Sequence, residues 1–307
     1  MKFKLYKKYL FFAEFEIFCL IFNNEKEGFF LDTFIFKPQE LFVLISSAYE
    51  KKANYPIKKS MILGFLAGAY ISFGGFAASV ASHSIENFGV AKFISGIIFP
   101  VGLILIILCG TDLFTGNILL TVPLLDKKIK YSNVVKNWII VYFANFLGAF
   151  FIAFLLVSSG ALDMNQGLLG TYVIKVAAAK GAIPFWKALS SGILCNIMVC
   201  LAVWCSFAAK DVTGKILAIW FPIMTFVVAG FEHSIANMYY FSVGILAKAS
   251  GLYTMPQGKD ITISGALGNL LPVTIGNILG GAIFVALLFY LSYGKKNNIK
   301  TPHKLSA

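Results

Sequence analysis

A chain of 307 residues that is 58% hydrophobic and only 13% charged, with a mean hydropathy of +0.79, cannot present a water-facing surface, because soluble domains carry about 25% charged residues. Its formal net charge of +12 comes from 26 basic residues, all of them lysines set in short gaps between apolar stretches; this is the pattern of membrane topology and not of a nucleic-acid groove. The five cysteines (Cys19, Cys109, Cys195, Cys200 and Cys205) show no zinc or iron–sulfur spacing, so no metal or other cofactor is expected.

Residues 1–37 open with MKFKLYKKYLFFAEFEIFCLIF. The basic start and apolar run have the outline of a signal peptide, but Glu14 and Glu16 interrupt the run and no small-residue cleavage site follows. The segment reads as an N-terminal extension, either interfacial or outside the native protein. Residues 38–57, which begin PQELFVLISSAYEKK, predict an amphipathic helix on the cytoplasmic surface. A transmembrane domain follows over 58–293. Its six apolar stretches lie near 60–82, 92–125, 133–159, 184–208, 213–247 and 265–293, and a bilayer takes about 20 residues to cross. The second and fifth stretches exceed that length, and polar, glycine-containing sequence breaks each of them. Residues 294–307 form a tail.

Lysine placement sets the orientation. Lys51, Lys52, Lys58 and Lys59 precede the first span. Lys127, Lys128, Lys130 and Lys136 lie between the second and third, and Lys210 and Lys215 between the fourth and fifth. Lys295, Lys296, Lys300 and Lys304 follow the sixth. The alternate side holds only Lys92, Lys175, Lys180, Lys187, Lys248 and Lys259. The imbalance predicts that both termini are cytoplasmic.

A faint internal repeat follows. CGTDLFTGN at 109–117 and AGFEHSIAN at 229–237 both place a glycine, an acidic residue and a closing asparagine inside an apolar helix. NFLGA at 145–149 is matched by NILGGA at 277–282. Two halves of three spans must be inverted relative to each other, and paired interrupted helices in inverted halves point to a transport site near the midplane. The fold class is thus all-α, with six transmembrane helices in two inverted three-helix repeats.

The breaks carry the chemistry. Within a membrane, an irregular segment survives only if it is buried in protein or lines a wet cavity. The half-helix after each break should begin with free N–H groups that favour an anion. In the first break, Gly110, Thr111, Asp112 and Asn117 are the polar set, with Thr111 and Asp112 as candidate caps. In the second, His233 stands beside Glu232 and Asn237 and is the one histidine at membrane depth, where an ionisable residue is by default a functional candidate. Asp112 and Glu232 should tie loop backbone together and not meet the permeant, since an acid facing the pore would repel anions. Phe99, Leu103, Leu113 and Phe226 are bulky residues near the breaks, placed either for core packing or for gating by dewetting. Asn196 is a further polar residue at depth.

At these residues the sequence resembles a known family. GTDLFTGN, KNWIIVYFANFLGA (136–149), LCNIMVCLAVW (194–204), GFEHSIANM (230–238) and NLLPVTIGN (269–277) are similar to the formate/nitrite transporter family, and the likeness runs from about residue 38 to 293. The resemblance implies an aquaporin-like protomer, a homopentamer in the bilayer with one pore per protomer, and a small monovalent anion as substrate. Formate is favoured, with hydrosulfide or nitrite as the alternative, or a proton-coupled monocarboxylate symporter. It further implies that Thr115 and His233 face each other at the pore centre with Asn196 stabilising them. Phe99, Leu103, Leu113 and Phe226 would form two constrictions, and Lys180 would draw anions into the outer vestibule. Glu232 and Asn237 would support the histidine loop. No enzymatic activity is expected.

Overall fold

A computed structural model describes residues 35–254 and 260–294. The expectations for the extension before residue 35, for Lys259 and for the tail lysines Lys295, Lys296, Lys300 and Lys304 lie outside the described residues.

The apolar stretches fold as helices because they are long and predominantly apolar, and a helix satisfies its own backbone in lipid. Amphipathic α1 (Pro38–Ala53) comes first, then α2 (Ile57–Ser82). The second span is α3 (Phe88–Ile98) and α4 (Val101–Cys109), bent at Pro100, whose ring disallows a straight helix. After the first break come a 3-10 turn (Gly116–Leu120) and α5 (Thr121–Leu125). The third span is α6 (Tyr131–Ser158).

A helix that the sequence did not reveal, α7 (Leu168–Gly181), precedes the fourth span, α8 (Phe185–Ala208). The fifth span is α9 (Val212–Ala229), the second break, and α10 (Ser234–Ser250). The sixth is α11 (Ile263–Leu279), a π-helical stretch (Gly280–Leu287) and α12 (Leu288–Tyr293). Six of these helical segments are long and apolar enough to cross a membrane.

The halves repeat each other. The pair α2 and α6 packs as the pair α8 and α11 does. Both interfaces are so close that glycine is required: a Cβ on Gly148 would run into the Phe65 carbonyl, and one on Gly280 into the Ile193 carbonyl. Small residues are what let membrane helices approach to backbone contact. Pro56 and Pro184 stand as N-caps of the two first spans. The repeat therefore extends further than the sequence suggested, with α1 and α7 as its opening elements.

Helix α1 does more than lie on a surface. It buries Leu41, Phe42, Ile45, Ser46 and Tyr49 against the bundle, with Phe42 against Trp204 and Tyr290. Its Tyr49 hydroxyl donates to the Gly116 carbonyl at 3.0 Å, so α1 plugs one end of the first broken span as α7 borders the second.

Candidate functional site

Both breaks begin alike. Gly110 and Gly230 end their helices with φ of 69° and 74°, the left-handed turn that only glycine takes without strain. Each break is then held by an asparagine from a neighbouring span. Asn145 Oδ1 accepts from Phe114 N at 2.9 Å, and its Nδ2 donates to the Gly64 and Asp112 carbonyls at 2.7 and 3.0 Å. Asn277 Oδ1 accepts from Ser234 N at 2.9 Å, and its Nδ2 donates to the Gly192 and Glu232 carbonyls at 2.8 and 3.0 Å. These asparagines, visible in the sequence only as part of a repeat, are what allow backbone to leave helical form inside an apolar layer.

Each break also carries a lysine–carboxylate–asparagine set. On the α7 side, Lys180 Nζ lies 2.7 Å from Glu232 Oε1. Glu232 Oε2 accepts from Asn237 Nδ2 at 2.7 Å and from Asn269 Nδ2 at 3.3 Å. On the α1 side, Lys52 Nζ lies 2.8 Å from Asp112 Oδ1 and 3.4 Å from Asn117 Oδ1. Asn117 Nδ2 donates to Asn137 Oδ1 at 3.0 Å. Asp112 and Glu232 are thus each tied to a lysine, and Glu232 also lines the cavity described below. Lys52 was missed as a partner, because nothing local to it signals a carboxylate sixty positions away.

Two expectations are corrected. Thr111 and Asp112 do not cap the half-helix after the first break: Thr111 Oγ1 turns back to the Ile106 carbonyl at 3.4 Å, and Lys52 holds Asp112. Nor does α10 begin with a row of free N–H groups. His233 is itself the N-cap, and its Nδ1 accepts from Ala236 N at 3.0 Å, while Asn277 takes Ser234 N.

That cap fixes the imidazole. With Nδ1 accepting from an amide, the neutral ring carries its proton on Nε2. Nε2 sits 2.9 Å from Thr115 Oγ1, so the ring donates to the hydroxyl. Both side chains are buried, at 2% and 0% exposure, and they come from opposite halves. Asn196 lies behind this pair: its Nδ2 donates to the Thr115 carbonyl at 3.3 Å and to the Asn277 carbonyl at 2.6 Å. It ties the backbone of the first break to that of α11, whose Asn277 holds the second break. Gly281, in the π-helical stretch, leaves the space: a Cβ there would stand 2.6 Å from Cys200 Sγ and 2.9 Å from Asn196 Nδ2.

A cavity of about 790 Å³ leads from the α7 side toward the pair. Lys180 lines it, and Phe99, Phe226 and His233 form its floor. The Phe99 and Phe226 rings meet edge to face at 5.8 Å between centroids, and Phe226 stacks on His233 at 5.9 Å. Leu103 and Leu113 are buried in the surrounding core and do not line this cavity. The structure therefore joins Phe99, Phe226, His233 and Thr115 in one line and keeps the two leucines off the cavity wall.

Two inverted halves, each with a broken helix, meeting at a buried polar pair under an aromatic closure, define a helical membrane channel or transporter. Residues 39–291 match the family described as Formate/nitrite transporter, and the chain belongs to that family. It is 36% identical over 259 residues to "Formate channel FocA" of Escherichia coli (strain K12), covering 81% of this chain and 90% of that one. It is 39% identical over 273 residues to "Probable formate transporter" of Methanothermobacter thermautotrophicus, covering 82% and 94%. Among solved structures, "Pentameric formate channel with formate bound" is similar at a TM-score of 0.71 and 33% identity, covering 78% of this chain and 98% of that one. "FNT family ion channel" is similar at 0.73 and 27%, covering 82% and 98%.

Proposed function

We propose that this protein is a homopentameric membrane channel that passes small monovalent anions, formate foremost, through each protomer. The carrying observation is the Thr115–His233 hydrogen bond of 2.9 Å beneath the Phe99–Phe226 closure. An ion at the bilayer centre is costly unless protein groups replace its water. Here Nε2–H and the Thr115 hydroxyl are donors that a formate oxygen can take in place of their mutual bond. The aromatic closure excludes bulk water, so only a species small enough to slip past Phe226 and weakly hydrated enough to shed water reaches the donors. On this reading Leu103 and Leu113 complete the constrictions, and Lys180 and Lys52 border the outer and inner approaches, with both termini cytoplasmic. The relatives named for formate support formate over nitrite and hydrosulfide, which share the same demand for small size and single charge.

A second mode follows from His233 being the one imidazole at membrane depth among the described residues. The anion would then cross as the neutral acid. That route requires His233 to take a proton on Nδ1 first, which releases the Ala236 amide from its cap. Swelling of proteoliposomes driven by formate, nitrite, hydrosulfide, lactate and glycerol at two pH values tests the reading. Fast formate flux without glycerol flux is the expected result, and fast glycerol flux or no anion flux refutes it. A His233→Gln variant that keeps the wild-type pH dependence of flux refutes the proton-coupled mode alone.

A further inference from the structure

We propose that Lys92, which stands outside the Lys180–Glu232 pair, is a capture site for the permeant anion in the α7-side cavity. The inference rests on the anion-channel reading above.

Lys180 is already paired. Its ammonium is 2.7 Å from Glu232, and Glu232 is in turn fixed by Asn237 and Asn269. A lysine paired in this way is held at its carboxylate and is less free to turn to a mobile anion than a lysine with no ion pair. Five charged residues line the space: Lys92, Lys175 and Lys180, with Glu86 and Glu232 as the carboxylates. Lys92 makes no ion pair with any described carboxylate. Its contacts are the Phe88 ring, at 5.8 Å from the centroid, and Gly230, whose Cβ position lies 3.3 Å from Nζ. The ammonium therefore overlies the turn that begins the second break, at the C-terminal end of α9. The partial negative charge of that helix end offsets only about half a unit.

Its register singles Lys92 out from Lys175, which is exposed on α7 and so is screened by solvent. Phe88, Lys92, Ser95 and Phe99 all line the cavity from one stripe of α3 and its end, at the spacing that puts residues on one helix face. Lys92 stands two turns above Phe99, the floor. A cation with no ion pair among the described carboxylates, half-buried beside a second cation, is costly, and an anion resting between it and the floor lowers that cost. An anion held there is the one next in line for the closure.

Formate-driven swelling with wild type, Lys92→Gln, Lys92→Arg and Lys180→Gln distinguishes the roles. Rates are taken at formate concentrations from far below to far above half-saturation, at low and high salt. Lys92→Gln should lower the rate at dilute formate roughly three- to tenfold, with the deficit shrinking as formate or salt rises. Lys92→Arg should restore it, and Lys180→Gln, which frees the Glu232 carboxylate, should lower the rate at every concentration. A Lys92→Gln rate equal to wild type at dilute formate overturns the proposal. So does an equal loss at all concentrations and salts, which marks Lys92 as a mere support for the end of α9. If Lys92→Gln does not assemble, an assembled Lys92→Arg with a low dilute-formate rate overturns it in the same way, and a wild-type rate upholds it. Wild-type vesicles that pass no formate refute the channel reading itself, whereas wild-type flux with indifferent Lys92 variants refutes only this inference.

Discussion

Asn277→Leu removes the three hydrogen bonds that hold the second break, to Ser234 N, the Gly192 carbonyl and the Glu232 carbonyl. The side chain is fully buried, so no water replaces it. A hydrogen bond contributes a net of about 1 kcal/mol in proteins and nearer 0.6 kcal/mol between membrane helices. Three of them give a loss of about 2–3 kcal/mol, before any crowding by the larger leucine. For a chain of this size each kcal/mol moves a thermal midpoint by about 2–4 °C. The apparent midpoint of the purified protein should thus fall by roughly 5–10 °C, followed by tryptophan fluorescence at a fixed scan rate because unfolding of such proteins is irreversible. Formate flux should fall as well, since Glu232 and His233 flank the freed backbone. Asn145→Leu, which removes the mirrored bonds, should cost the same to within about 1 kcal/mol. Unchanged midpoint and flux in Asn277→Leu would refute the claim that these side chains stabilise the breaks.

Thr115→Val keeps the shape of the side chain but strips His233 Nε2 of its partner, and formate flux should drop at least tenfold while the elution volume on size exclusion stays that of the wild type. Phe226→Ala should open the floor and let glycerol through, which the wild type should exclude. Gly148→Leu, whose side chain has nowhere to go but the Phe65 backbone, should abolish assembly, as overpacking costs about 1–3 kcal/mol even for a modest excess. Outside the membrane, the Tyr253 hydroxyl donates to Asp163 at 2.8 Å, and burial followed by that bond pushes its pKa up to about 12. Because the folded value is raised, the wild type's thermal advantage over Tyr253→Phe should be intact below about pH 10 and lost as the pH rises toward 12.

The breaks were legible because glycine, threonine, histidine and carboxylates are conspicuous inside apolar runs, and the spans because length and hydropathy leave a membrane helix no alternative. Helix α7 was not legible. It is short, it carries Lys175 and Lys180, and the repeat that would have revealed it is not evenly spaced. Asp112 and Glu232 are 120 positions apart, whereas Lys52 and Lys180 are 128 apart and Asn145 and Asn277 are 132 apart. Insertions in the connecting loops change the offset between elements, so no single period exposes the whole. The capping role expected of Asp112 failed for a related reason. Local spacing makes it a plausible cap, but Lys52, brought in by α1, is a stronger partner in a dry site than an amide. The partition of Phe99 and Phe226 from Leu103 and Leu113 is set by tertiary packing, which local sequence does not reveal.

Each half of the molecule sets a lysine–carboxylate pair beside its break, and the two halves meet at the same central pair. A passage built from two copies of one half, turned head to tail, has nearly the same energy profile read in either direction. Such a passage has no ratchet. In the channel mode proposed above, without proton coupling, net flow follows the concentration gradient and the membrane voltage alone, and one protein would serve for release when the anion accumulates on one side and for uptake when it is plentiful on the other. The departures from the mirror, a glutamate facing an aspartate across the midplane and the cation of Lys92, would register only as a mild rectification, a few-fold difference between the two directions at equal driving force.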